Sequence, residues 1–350
     1  MNLDYGKILI IGKNAQGKTN ILESIYFLST LKSPRISNNI ELINFDSEKA
    51  EINCNLIKSN TDIELDFSYS KEKKRELSVN KVRTTPKNFK SVLKTVLFSA
   101  QDLMLLRGNP SDRRDWLDRA ISQIYPAYDE RLSKYDKIRI QKNNLLKDYL
   151  KTGKLDNNLL DIYNEQLTIT GSNIIYLRIK FLKEIENTAF DKHKSISNSE
   201  VLKIKYSCDF LDNETELDDI VIKYKQSLEE KRTEELRRGQ ACVGPHRDDV
   251  VFYINDNDAS KFASQGQQRT VVLALKLSEL DIITQKTGDE PILLLDDVLA
   301  ELDDLRQNYL LKSINSDTQT IITSVDTILF EKEFLKDVKI YKIENGNIIC

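Results

Sequence analysis

The chain has 350 residues, 40% of them hydrophobic and 31% charged, which suits one large globular domain or two ordinary ones. It holds no apolar run of about 18 residues or more, and its start lacks a basic segment followed by an apolar stretch, so the sequence predicts neither a membrane span nor a secretory signal. The net charge of −3 argues against a globally basic nucleic-acid coat and leaves room for a local basic face. Cys54, Cys208, Cys242 and Cys350 are scattered, with His193 and His246 beside them. That pattern points to reduced thiols in a cytoplasmic protein, not to a zinc site.

In chain order, Lys7 to Ile11 is an apolar run that leads into Gly12 to Thr19. Lys18 to Leu31 reads as a helix with Ile21, Leu22, Ile25 and Leu28 on one stripe, ended by Ser33-Pro34. The period then switches. Ala50 to Lys58 and Ile63 to Ser70 alternate apolar and polar residues, and Glu76 to Val82 reads as a short hairpin around Asn80-Lys81. Val92 to Phe98 reads as a further strand. From about Ser111 a charged, mostly helical tract runs to roughly Ala189, with a break at Thr152-Gly153. Strand-like Val201 to Phe210 follows, then a second charged helix over about Glu214 to Arg238. The final third returns to mixed structure. It holds the turn Gly244-Pro245-His246-Arg247-Asp248-Asp249, strand Val250 to Ile254, and a helix over Thr270 to Ile283. Strands follow at Pro291 to Leu295 and Thr320 to Thr323, with a closing hairpin around Asn345-Gly346.

Gly12-Lys13-Asn14-Ala15-Gln16-Gly17-Lys18-Thr19 fits G-x-x-x-x-G-K-[ST], with a strand before it and a helix after it. The glycines let backbone N–H groups face a β-phosphate, and the helix start adds positive potential. Lys18 is placed to reach β- and γ-phosphates, and Thr19 to put its hydroxyl on Mg²⁺. At the other end of the chain, an apolar strand delivers Asp296 and Asp297. Asp296 suits the Mg²⁺ shell, and Asp297 the orientation or deprotonation of an attacking water. Together these describe an ATP site whose halves lie at opposite ends of the sequence.

Ser264-Gln265-Gly266-Gln267-Gln268 opens a helix and forms a second anion-binding end. One chain cannot easily aim two such ends at one γ-phosphate, so Ser264, Gly266 and Gln267 are read as completing the nucleotide site of a partner copy. Gln101, just past a strand end, is a candidate for contact with Mg²⁺ or the attacking water. Arg107, Arg113 and Arg114 suit phosphate or DNA contacts, or a salt-bridged helix start. His246 suits a functional role or a turn-stabilising one. The basic runs Lys71 to Arg75 and Arg237-Arg238 suit DNA contact or plain solvation.

On these segments the chain resembles the RecF family, bacterial recombination and gap-repair ATPases related to the SMC and ABC ATPases. The resemblance rests on Gly12 to Ile25, on Phe98 to Leu105 with Gly108, Pro110, Arg113-Arg114 and Leu117-Asp118, and on Gly244 to Asp249. It rests also on Ser264 to Arg269 and on Leu294 to Asp303. It implies an α/β fold: an ABC-type ATPase head, a mixed sheet plus an antiparallel β subdomain, with an inserted helical arm. The head is expected over 1–118 and 236–350, the arm over 119–235. The resemblance further implies ATP-driven homodimerisation, with Ala300 to Asp303 along the dimer seam. It implies weak, DNA-dependent ATP hydrolysis, binding to DNA near single-strand gaps, and loading of RecA with RecO and RecR, in the cytoplasm at the nucleoid. Relatives carry two further strands before the phosphate loop's strand, about 20 residues with their connections. Their absence is expected to leave a sheet edge unpaired. Ala15 stands where many relatives have glycine, and Ser324 where transporter-type ATPases have histidine.

Competing functions fare worse. An SMC-like chromosome organiser needs many sustained heptads, which this arm lacks. A transporter energy subunit has a shorter helical subdomain, and a nuclease fusion would carry a further acidic metal cluster.

Overall fold

The computed structural model describes every residue except Tyr5, Ser37, Ser59, Lys73, Asn198, 213–215, Ser316 and Cys350. The thiol of Cys350, Lys73 in the first basic run and the expected helix start at Glu214 therefore lie outside the described residues. In chain order the elements begin with β1 (Lys7–Ile11), α1 (Lys18–Thr30), β2 (Lys49–Lys58), β3 (Thr61–Ser70), β4 (Lys74–Val79), β5 (Val82–Arg83), α2 (Pro86–Val92) and β6 (Thr95–Ser99). Next come α3 (Pro110–Ile124), α4 (Tyr128–Thr152), α5 (Asn157–Ser197), β7 (Leu202–Ser207), α6 (Leu217–Glu230), α7 (Arg232–Arg238), β8 (Asp249–Ile254), β9 (Asn257–Asp258) and α8 (Ala259–Phe262). The chain ends with α9 (Gln265–Thr287), β10 (Ile292–Asp296), α10 (Asp304–Ser313), β11 (Thr320–Ser324), α11 (Lys332–Lys336), β12 (Lys339–Glu344) and β13 (Asn347–Ile349). They group into two compact units, 1–104 with 272–350, and 105–271.

The first unit holds a six-stranded sheet of order β13-β12-β1-β11-β10-β6. All neighbours pair in parallel except β12 with β13. Strands covered on both faces need side chains that tolerate burial at every position, which is why β1 and β10 are nearly continuous Ile and Leu, while β11 sets Ile321 and Ile322 between buried threonines. Ile8, Ile10, Leu22, Phe27, Leu28, Leu294 and Ile321 pack into its core. Leu65, Phe67 and Leu77 of an antiparallel sheet, order β2-β3-β4-β5, join the same core. Phe27 meets Phe67 edge-on with ring centroids 4.7 Å apart. Asn80 and Lys81 both adopt positive φ, 51° and 64°, the two-residue turn that matches strand twist.

One expectation here fails. Val92 does not start a strand: it ends α2, and β6 begins at Thr95. Thr85 accepts from Asn88 N and Pro86 sits at the first helical position, so a local cap overrides the apolar run.

The second unit holds α3 to α8, the sheet β7-β8-β9 and the start of α9. The expected arm lies wholly within it. So do 105–118 and 236–271, because β7 pairs with β8 along its length and α3 packs on β8. The helical tract breaks twice, not once. α3 stops before Pro126, and α4 stops at Gly153, whose φ of 68° closes the helix. α5 then runs past Ala189 to Ser197. Buried ion pairs tie the unit together: Arg178 with Asp118 at 2.8 Å and Lys142 with Glu235 at 2.6 Å. Burial lowers the Lys142 pKa, and Glu235 opposes that shift.

Candidate functional site

A cleft of about 600 Å³ lies over the phosphate loop, lined by Asn14 to Asn20, Glu23, Arg35, Ser99 to Gln101, Asp296 and Asp297. It is built from the first unit alone. Gly12 lies beneath it, where a Cβ would come within 2.5 Å of the Ile343 carbonyl oxygen, so only glycine fits. Gly12 N donates to Ser324 O at 3.2 Å, and Asn345 N donates to the Gln16 side chain. Strand ends on both sides thus fix the loop. Gly17 turns the chain into α1 with φ 97°. Ala15 adopts φ 62°, a conformation that costs a residue with a Cβ about 1 kcal/mol.

Lys18 is 4% exposed, and its Nζ donates to Gly12 O at 2.8 Å and Lys13 O at 3.3 Å. Asp297 Oδ2 stands 3.9 Å from the same nitrogen. The ammonium is therefore pre-aimed within the curl of the loop, where phosphate oxygens would displace weak carbonyl contacts. Thr19 Oγ1 donates to Asp296 Oδ1 at 3.0 Å. Burial raises the Asp296 pKa, against hydrogen bonds from Thr323 and Thr19 that favour the carboxylate. A half-desolvated carboxylate beside a hydroxyl is a hard-oxygen donor set that fits Mg²⁺, which takes one or two protein ligands and fills its shell with phosphate and water. Gln101 reaches the cleft because Asp102 pins its turn. Ser99 N and Oγ donate to Asp102 Oδ2 at 2.8 and 2.9 Å, and Lys276 pairs with Asp102 at 2.9 Å.

Two contributors were invisible in the sequence. Thr323 reaches the acidic pair: its hydroxyl donates to Asp296 Oδ1 at 2.9 Å and accepts from Asp297 N at 2.9 Å. In the sequence it is one more residue of a β-branched strand. Arg35 lines the mouth, donating to Asn20 Oδ1 at 2.9 Å and pairing with Glu23 at 3.3 Å. The only hint was its place just after Ser33-Pro34. Ser324, one residue on, holds Gly12 through its carbonyl.

Ser264, Gly266 and Gln267 belong to the second unit, where they open α9. Ser264 N donates to Gln267 Oε1 at 2.8 Å, and Gln267 N donates to Ser264 Oγ at 3.2 Å. This reciprocal pair is a capping box with glutamine at its third position.

The Gly244 to Asp249 turn is a packed polar knot. Tyr135 OH lies 2.6 Å from His246 Nδ1, and His246 Nε2 faces Ala241 O at 3.4 Å. Burial, with Arg139 next, pushes the His246 pKa down to about 3, so the ring is neutral. Arg178 donates to Pro245 O at 2.7 Å, and burial raises the Asp248 pKa to about 6. Arg113 does not face outward. It forks onto both oxygens of Asp249 at 2.8 Å and donates to Gly108 O at 2.7 Å. Arg114 donates to Asp248 O at 2.7 Å. Both arginines are held by the turn, whereas Arg107 is exposed. Arg238 pairs with Glu234 at 2.7 Å. Among the described residues Cys54, Cys208 and Cys242 are free thiols, and no helix is long and apolar enough to cross a membrane.

Comparison with known proteins fits this geometry. The profile of the RecF/RecN/SMC N terminal domain matches residues 1–348. The DNA replication and repair protein RecF of Bacillus subtilis (strain 168) is 39% identical over 344 residues, covering 97% of this chain and 93% of the relative. A solved structure described as the recombination mediator protein RecF-ATP in the RecFOR pathway superposes with a TM-score of 0.91 at 35% identity, covering 100% of this chain and 92% of its own. A second, RecF-ATPrS in the same pathway, gives 0.90 at 35% identity, covering 99% and 92%. An ABC-type head fold, a phosphate loop and an acidic strand end thus coincide with likeness along nearly the whole length: the chain belongs to the RecF family.

Proposed function

We propose that the chain is an ATP-switched DNA-binding protein of recombinational and gap repair, with slow, DNA-dependent ATP hydrolysis. The observation that carries this is the convergence of Lys18, Thr19, Asp296 and Asp297 on one cleft over a glycine-shaped loop. In this reading Lys18 holds β- and γ-phosphates, and the backbone of Gly12 to Thr19 cradles them. Thr19 and Asp296 hold Mg²⁺, which supplies charge neutralisation on the phosphates. Asp297 and Gln101 orient or deprotonate the attacking water.

Ser264, Gly266 and Gln267 of one copy complete the site of the other, so ATP binding closes a homodimer and hydrolysis opens it. Residues 1–118 and 236–350 carry the nucleotide chemistry as the head, and 119–235 act as the arm. The bound partner is DNA at gaps or single-strand/double-strand junctions. RecO and RecR act with it to load RecA, in the cytoplasm at the nucleoid. The relative described as a recombination mediator with ATP in the RecFOR pathway supports this reading.

The test is ATPase rate against protein concentration, with and without gapped duplex DNA. Specific activity that rises with both supports the composite site and the DNA partner. A rate proportional to concentration and indifferent to DNA removes both.

A further inference from the structure

Gln267 has no free side-chain atom. Its Oε1 accepts from Ser264 N at 2.8 Å, and its Nε2 donates to Glu200 Oε1 at 2.6 Å. Glu200 follows the end of α5, and its other oxygen, Oε2, stands 3.7 Å from His193 Nε2. His193 is fully buried on α5, with Nδ1 facing Ser197 Oγ at 3.3 Å. Glu200 itself is 21% exposed in its side chain. A carboxylate that faces a buried imidazole on one side and accepts from Nε2 on the other thus clamps the amide of Gln267, and that amide in turn holds the backbone on which the Ser264 hydroxyl stands. Charge-assisted acceptors of this kind give short, directional bonds.

We infer that Glu200 is a positioning residue for the second half of the nucleotide site: it sets Gln267, and through Gln267 the Ser264 loop, before a second copy arrives. This rests on the composite site proposed above. The amide of a glutamine at an open helix start samples several rotamers, and freezing them at the moment of assembly weakens it. Glu200 removes that freedom in advance.

The experiment measures ATP-dependent dimerisation by sedimentation, and fluorescent-ATP binding to the monomer, for Glu200→Ala, Glu200→Gln, Gln267→Ala and the double variant Glu200→Ala/Gln267→Ala. Glu200→Ala is expected to leave monomer binding unchanged and to weaken dimerisation about five- to tenfold. Glu200→Gln keeps an acceptor oxygen and is expected to recover most of the loss. The double variant is expected to be no worse than Gln267→Ala, because one bond is removed either way. Additive losses, or a Glu200→Gln as weak as Glu200→Ala, would overturn the inference. His193→Leu separates a merely structural role: if it reproduces the Glu200→Ala defect with Gln267 intact, Glu200 serves the α5 end and not the loop. Failure of the composite site is a distinct result, since Ser264→Arg would then dimerise normally with ATP.

Discussion

Thr323 bridges the acidic pair from beneath: one hydroxyl donates to the side chain of Asp296 and accepts from the backbone of Asp297, each over 2.9 Å. The hydroxyl is buried, so no water can replace it. Thr323→Val keeps the shape and removes both bonds. The orphaned N–H and carboxylate are expected to cost roughly 1–3 kcal/mol of stability. ATP turnover is expected to fall more than ATP binding, because Asp296 and Asp297 lose their fixed orientation. Chemical denaturation and a separation of kcat from KM check this; a raised KM with kcat unchanged would assign Thr323 to binding alone.

Lys18→Met removes the ammonium aimed into the loop while keeping its apolar stem. Lysine contacts to phosphate are charge-assisted, at roughly 1.5–3 kcal/mol apiece, so ATP affinity is expected to fall about 100-fold or more. Isothermal titration checks this. Retained tight binding would remove Lys18 from the site.

Ser264→Arg places a long cation where a second copy's phosphates are proposed to sit. Ser264 is exposed, so the arginine displaces no core side chain, and losing its cap on Gln267 N is expected to cost only about 1 kcal/mol. Monomer binding of ATP is expected to survive and ATP-dependent dimerisation to vanish. Light scattering with and without ATP decides the matter.

Arg113 binds three backbone carbonyls besides its fork onto Asp249. Arg113→Ala leaves Asp249 without its partner and is expected to cost roughly 3–5 kcal/mol, read as a lower denaturation midpoint. Arg113→Lys cannot reproduce a planar fork and is expected to rescue little. A mild phenotype would mean that the turn from Gly244 holds without it.

Acid is expected to unfold the chain partly through His246. Its folded pKa of about 3 lies below the ordinary 6.5, so its contribution to stability is whole above pH 6.5 and is lost as the pH falls toward 3. Asp248 runs the other way: burial raises it from 3.8 to about 6, so its contribution is whole below 3.8 and is lost as the pH rises through 6. Between about 3.8 and 6 the two effects cancel proton for proton, so the net loss on acidification falls where His246 alone titrates, from 6.5 to about 6 and again below 3.8. His246→Gln leaves Asp248 alone, so stability is expected to rise on acidification from about 6 toward 3.8. Urea midpoints from neutral to mildly acid pH check it; an unchanged slope would assign the loss to other groups.

The nucleotide cleft was legible where its chemistry is local. Gly12 to Thr19 is one continuous pattern, and Asp296-Asp297 ends an apolar run, so each reads from its own neighbours. Thr323, Arg35 and Glu200 were not legible because their meaning arises only when β10 and β11 pair, when α1 turns back at Pro34, and when the end of α5 meets the start of α9. Arg113 and Arg114 read two ways in the sequence, as phosphate or DNA contacts or as a salt-bridged helix start, and the fold takes the second by turning them onto Asp248 and Asp249. The closing hairpin was legible because Asn345-Gly346 favours the positive φ it adopts, 50° and 76°. α2 was missed because a run of Val and Leu outweighed the Thr85-Pro86 cap.

β1 lies between β11 and β12, and the phosphate loop leans on Ile343 and Asn345. During synthesis the loop therefore leaves the ribosome early and waits for partners that are made last. At about 5–20 residues per second that wait is tens of seconds, with Ile8 and Ile10 lacking their strand neighbours. The cleft lining is thus made before its supports, and a chain that stops before β12 lacks the Ile343 and Asn345 props of the loop. Its affinity for nucleotide is expected to be weaker than that of a chain carrying them.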